Sequence, residues 1–115
     1  MRATQIDEIL ASPPRLALMA SLADGRWRTF MELKLETGLA DGNLHVQTSR
    51  LVEAGYIEQR KLPHGQRTRT AFRVSELGTL HLRLHVQLLQ GVLQDGEGTI
   101  RPNLASGRQD DARVW

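Results

Sequence analysis

Residues 29–72 read TFMELKLETGLADGNLHVQTSRLVEAGYIEQRKLPHGQRTRTAF, and the apolar period changes partway along. Up to Gly55 apolar residues recur every three or four positions, the period of a helix. Beyond it they alternate, the period of a strand. From Gln59 to Ser75 the chain carries Arg60, Lys61, Arg67, Arg69 and Arg73, with His64, and no Asp or Glu. The pattern is two short helices followed by a basic hairpin.

Thr29 and Glu32 form a capping box, in which hydroxyl and carboxylate each satisfy a free amide at a helix start. The helix they open runs from Phe30 to Thr37, and Gly38 ends it. Asp41 is expected to cap a third helix running to about Ala54, with Gly55 at its stop. Leu44, Thr48, Leu51 and Val52 share one stripe and should face the core. At about 100° per residue, the outward arc is Gly42, Asn43, His45, Val46, Ser49 and Arg50. These small, polar and singly charged groups differ from a solubilising face of lysine and glutamate.

In the hairpin, YIEQRKL and RTRTAFRV flank PHGQ, whose Pro and Gly are expected at the tip. Thr68, Thr70, Phe72 and Val74 should fall on one side, and Arg67, Arg69 and Arg73 on the other.

Upstream, Thr4 is expected to cap a short helix over 5–10, and ASPP to stop it. Ser12 then caps a helix with Pro13 or Pro14 at its first position, running through Leu16, Met19, Ala20 and Ala23 to Gly25. RWRT at 26–29 suits a brief strand that pairs with the hairpin. Downstream, Ser75 caps ELGTLHLRLHVQLLQGVLQ, a helix with two apolar stripes: Leu77, Leu80, Leu84, Leu88 and Gly91 on one, Leu82, Val86, Leu89 and Leu93 on the other. One stripe can cover the chain's own core. A symmetric copy is the simplest cover for the second. Residues 95–115 show no period and read as a flexible tail.

Composition narrows the classes. The 115 residues fit one domain. With two Trp, one Tyr and two Phe, Leu, Val, Ile and Ala must fill most of the interior. The absence of cysteine removes disulfides, thiolate zinc sites and cysteine nucleophiles. RLALMASLADG resembles a leader segment, but upstream acids and the proline pair argue against that. No apolar run nears the roughly 20 residues of a membrane span, so a cytoplasmic location is expected. Formal charge is only +2, so the clustering of arginines matters more than their number. No glycine-framed nucleophile or phosphate loop is present, and an enzyme is not expected.

Helix, short strand, helix, turn, helix, hairpin, helix is the order of a winged helix-turn-helix, a mainly α fold with a small β-hairpin wing. LADGNLHVQTSRLVEAGYIEQRK, followed by GQRTRTAFRVSELG, resembles the bacterial winged-helix regulators of the MarR/ArsR-like group, and is most similar to the compact winged helix DNA-binding domain family. The resemblance covers roughly 12–93. It implies a homodimeric, nucleoid-associated repressor on duplex DNA at a pseudo-palindromic operator, with the helix at 41–54 in the major groove and the hairpin at 56–74 as wing. Two departures stand out: Thr48 where the family has an inward Leu, and SELG where TPEG is common.

Carried onto this chain, the groove-facing set is Asn43, His45, Val46, Ser49 and Arg50. Asn43 would offer paired donor and acceptor groups to adenine, Arg50 would reach guanine or a phosphate, and Val46 a thymine methyl. Arg60, Lys61, Arg67 and Arg69 would hold the backbone, with His64 and Gln66 at the tip. Leu82, Val86, Leu89 and Leu93 are the expected dimerisation stripe, in a domain of 1–94 whose last helix covers about 76–94. His81 and His85, four residues apart, match a metal-binding spacing, but no Cys or carboxylate in that helix completes a shell. No cofactor or metal is expected. Two other readings stay open: a protein-interaction module docking on an acidic partner, and a regulator sensing a small-molecule or protein effector near the last helix.

Overall fold

The computed structural model describes the backbone of residues 1–97 and the side chains of residues 1–94. The expected tail therefore lies, from residue 98 onward, outside the described residues. The chain divides into two units, Arg2–His85 and the segment from Val86 onward. The first is a winged helix: α1 (Pro13–Leu22), β1 (Arg28–Thr29), α2 (Phe30–Thr37), α3 (Asp41–Glu53), β2 (Ile57–His64), β3 (Arg67–Val74) and the start of α4 (Glu76–Glu97).

The sheet is antiparallel with order β1-β3-β2, so β3 is central. Arg28 and Thr29 lie opposite Phe72 and Ala71, which is the pairing expected of RWRT. β2 and β3 pair in register from Ile57 opposite Val74 to His64 opposite Arg67. The loop is thus only Gly65–Gln66, and Pro63 and His64 belong to the strand rather than to the tip. Two-residue loops favour a residue at positive φ, and Gly65 supplies it at 62°. Pro63 costs the ladder little because β2 is an edge strand.

Leu10, Leu18, Met19, Leu22, Leu33, Leu44 and Leu51 are fully buried, and Tyr56, Ile57, Phe72 and Val74 complete the core. In α1 the expected phase shifts: Leu18 and Leu22 turn inward with Met19, while Ala20 and Ala23 are exposed and Leu16 is half-buried. Burying a leucine removes far more apolar surface from water than burying an alanine.

The segment before α1 also departs from expectation. A 3-10 turn covers Ala3–Gln5, and no α-helix forms over 5–10. Asp7, not Thr4, organises the next turn: its Oδ1 accepts from the amides of Ile9 (2.9 Å) and Leu10 (3.3 Å). Its other carboxylate oxygen accepts from the Tyr56 hydroxyl at 2.6 Å, and His81 Nδ1 lies 3.0 Å from that hydroxyl. One carboxylate thereby ties the N-terminal turn to the start of α4.

The Thr29 capping box is complete, with Glu32 N donating to Thr29 Oγ1 and Thr29 N donating to Glu32 Oε1. Gly38 ends α2 at φ 74°. In α3 the N-cap is Ala40 rather than Asp41, and no side chain caps the helix. Asp41 stands inside the first turn, where its charge complements the helix dipole, and it pairs with Lys34 at 2.7 Å.

Gly78 fixes how α4 sits. A Cβ there would lie 2.0 Å from the Tyr56 carbonyl oxygen, so only glycine permits this approach. Ser75 completes the junction: its amide donates to the Tyr56 carbonyl at 3.0 Å, and its hydroxyl accepts from the Gly78 amide at 2.9 Å. With Gly78 at the contact, the inward face carries Leu82 and His85 as well and runs between the two stripes expected from sequence. Leu82, expected to face a partner, packs against the core. Leu77, Leu80 and Leu84 are left exposed.

Candidate nucleic-acid interface

α3 presents the arc that its spacing predicts. Leu44, Thr48 and Leu51 point inward, while Asn43, His45, Val46, Ser49 and Arg50 are all exposed, Val46 at 55%. The inward Thr48 is accommodated because its hydroxyl donates to the Leu44 carbonyl at 2.8 Å, which pairs the polar group the core would otherwise strand. His45 is held from outside, its ring centroid 4.4 Å from that of Phe30.

A chain of side chains reaches Asn43 from α1. Arg15 donates from Nε to the Ile9 carbonyl (2.7 Å) and from Nη1 to Gln47 Oε1 (2.7 Å). Gln47 Nε2 in turn donates to Asn43 Oδ1 at 2.9 Å. Gln47 stands four residues from Asn43, one helical turn away, so that link was open to sequence reading. Arg15 was not, since its reach depends on how α1 crosses α3.

The basic residues of the hairpin divide into two groups. Near its base, the Arg60 and Arg73 guanidinium carbons lie 4.0 and 4.7 Å from the Trp27 ring centroid, and Arg73 also pairs with Glu58 at 2.8 Å. Lys61 donates to Thr70 Oγ1 at 2.8 Å. Toward the tip, Arg67 and Arg69 are exposed and form no ion pair among the described residues. Glu32 is held below the usual carboxylate range chiefly by the Thr29 amide, with a smaller contribution from the positive charge of Arg69. β3 packs against α2 and β2 against α3, and Phe30 of α2 touches His45, so the hairpin lies beside the elements that carry the reading face. Trp27, expected only as part of the brief strand at RWRT, organises the inner pair. His64 and Gln66 are exposed, His64 at the end of β2 and Gln66 in the loop.

Residues 15–93 match the model of the family described as winged helix DNA-binding domain. The chain belongs to that family. No curated protein matches it. Among solved structures, this winged-helix protein resembles a transcriptional regulator homologue from Pyrococcus horikoshii OT3, with 25% identity and a TM-score of 0.71 over 77% of this chain and 88% of the other. It also resembles Rv0081 of M. tuberculosis, with 27% identity and a TM-score of 0.64 over 76% and 85%. A MarR-family regulator of Porphyromonas gingivalis W83 shares the fold at 19% identity, with a TM-score of 0.59 over 81% and 86%. The family is one of DNA-binding domains, and the Pyrococcus horikoshii and Porphyromonas gingivalis neighbours are described as transcriptional regulators, not enzymes.

Other expected site residues take distinct places in the winged-helix chain. Val86, Leu89 and Leu93 of α4 are exposed. His81 joins Tyr56 and Asp7, while His85 is buried with its Nδ1 unpartnered among the described residues. Among those residues, no group of three or more His, Cys, Asp or Glu is placed to hold a metal ion, and no helix is long and apolar enough to cross a membrane. A groove of about 720 Å³ opens between the hairpin base and the start of α4, lined by Glu58, Arg73, Leu77, Leu80 and Arg83 among others.

Proposed function

We propose that this winged-helix protein regulates transcription as a homodimer on a two-fold-related duplex site. α3 enters the major groove through Asn43, His45, Val46, Ser49 and Arg50, and Arg67 and Arg69 of the wing hold flanking phosphates. The observation that carries the reading is the exposed arc of α3, a helix that packs against β2 of the hairpin, together with two exposed wing arginines that form no ion pair among the described residues. A helix fits the major groove and base edges are read there, whereas guanidinium groups suit phosphate. The regulatory mode proposed with it is occlusion of a promoter, and hence repression.

A second copy is the partner that the exposed α4 residues Val86, Leu89 and Leu93 would meet, with Leu82 withdrawn from that set by its place against the core. In a two-fold dimer the half-sites would lie about one helical turn apart, roughly 34–36 Å. Selection of bound sequences from a random duplex library tests the proposal. The expected result is an enriched motif with two-fold symmetry. Binding without enrichment of any motif would refute sequence-specific recognition and favour a protein-interaction role for the same fold.

A further inference from the structure

The hydrogen-bond chain from α1 to α3 has a polarity that chemistry dictates. A guanidinium has only donors, so the group that Gln47 turns toward Arg15 must be its oxygen, as found at 2.7 Å. The Gln47 amide nitrogen is thereby left for Asn43, and Asn43 must meet it with oxygen, as found at 2.9 Å. Reversing Gln47 would set donor against donor and break a charge-assisted bond, which is roughly twice as strong as a neutral one, and reversing Asn43 would set its amide nitrogen against that of Gln47 and break the neutral bond between them. Arg15 is itself fixed by the carbonyls of Ile9 (2.7 Å) and Glu8 (3.4 Å). The Asn43 oxygen is therefore engaged along the helix, and its nitrogen, with two donors, is the group free to face outward.

We infer that Arg15 and Gln47 are positioning residues that make Asn43 a hydrogen-bond donor, and that Asn43 selects a base presenting acceptors in the major groove, guanine or thymine, in place of adenine. This rests on the reading that α3 enters the major groove. Asn43 is the third residue of α3, and the N-terminal residues of a recognition helix are the ones that contact base edges. Guanine offers N7 and O6 and thymine offers O4, all acceptors, while bidentate pairing with adenine needs the asparagine oxygen as well. Here that oxygen is turned toward Gln47.

The polarity can be inverted with one near-isosteric change. In Gln47→Glu both oxygens of residue 47 accept, one from Arg15 and the other from Asn43. Asn43 must then turn its nitrogen inward and its oxygen out. The test is selection from a random duplex library at low salt with the full chain and three variants: Asn43→Ala, Gln47→Glu and the neutral Gln47→Leu. The wild type is expected to prefer guanine or thymine at one position of each half-site by about tenfold. Asn43→Ala should make that position indifferent. Gln47→Glu should move it to adenine or cytosine, whose exocyclic amines donate, and Gln47→Leu should broaden it to admit adenine.

A merely structural role for Gln47 would weaken binding without changing the preferred base. An unchanged base in both Gln47 variants would overturn the inference, as would an Asn43→Ala motif identical to that of the wild type. Both results leave the wild-type motif standing, so they are distinct from failure of the major-groove reading, in which the wild type enriches nothing.

Discussion

The division of the wing arginines into two groups predicts how binding depends on salt. Arg67 and Arg69 are exposed and lack ion pairs among the described residues, whereas Arg60 and Arg73 lie against Trp27 and Arg73 is paired with Glu58. Each phosphate neutralised adds about 0.9 to the fall of log K with log salt concentration, so replacing Arg67 and Arg69 with Ala should flatten that slope by about 1.8 for each engaged wing. Between about 50 and 200 mM salt the wild type should then lose about twelvefold more affinity per wing than the variant. Replacing Arg60 and Arg73 instead should leave the slope nearly unchanged and lower folded stability, by about 0.5–1 kcal/mol for each exposed cation–π contact. Fluorescence anisotropy with a labelled duplex, repeated over a salt series for both double variants, gives the slopes. Equal slopes for wild type and Arg67→Ala/Arg69→Ala would refute the assignment of the outer pair. A slope flattened as much by the inner pair would refute the division itself.

Three further outcomes follow from the same structure. Gly78→Ala forces a Cβ to within 2.0 Å of the Tyr56 carbonyl oxygen, so the α4 junction must shift. Overpacking of this kind costs about 1–3 kcal/mol, and an unchanged thermal melt would show that the helix does not depend on that approach. The Asp7–Tyr56 hydrogen bond should limit stability at both ends of the pH scale. Burial works to raise the Asp7 pKa, but hydrogen bonds from Tyr56, the Leu10 and Ile9 amides and His81 outweigh it and hold it below 3.8. The stability it contributes is therefore present above pH 3.8 and lost as pH falls further. Burial and then Asp7 raise the Tyr56 pKa above 10.0, so that group's contribution is present below pH 10.0 and lost as pH rises beyond it. Denaturant midpoints across the pH range should show both losses, and Asp7→Asn should remove the acid-side one. Leu89→Glu with Leu93→Glu changes two exposed residues and should give a monomer in equilibrium sedimentation, with the wild type a dimer. A dimer that survives both substitutions would place the seam elsewhere.

Local chemistry was enough to determine much of this protein. The capping box at Thr29, the Gly38 stop, the change of period at Gly55 and the strand at Arg28 each follow from interactions within a few residues, or from an alternation that one strand carries alone. The exposed arc of α3 was legible for the same reason, because a helix with Leu44, Thr48 and Leu51 inward leaves no choice about the opposite face. The phase of α4 was not legible. Its two leucine stripes look equivalent along the helix, and only the close approach of Gly78 to the Tyr56 backbone decides which direction is inward, carrying Leu82 and His85 with it. The partition of the wing was hidden likewise, since Trp27 meets Arg60 and Arg73 only once β1 has paired with β3. Arg15 reaches Gln47 from 32 positions away, a distance across which no period in the chain can speak, and the donor-only chemistry of a guanidinium then sets which atom of Asn43 faces outward.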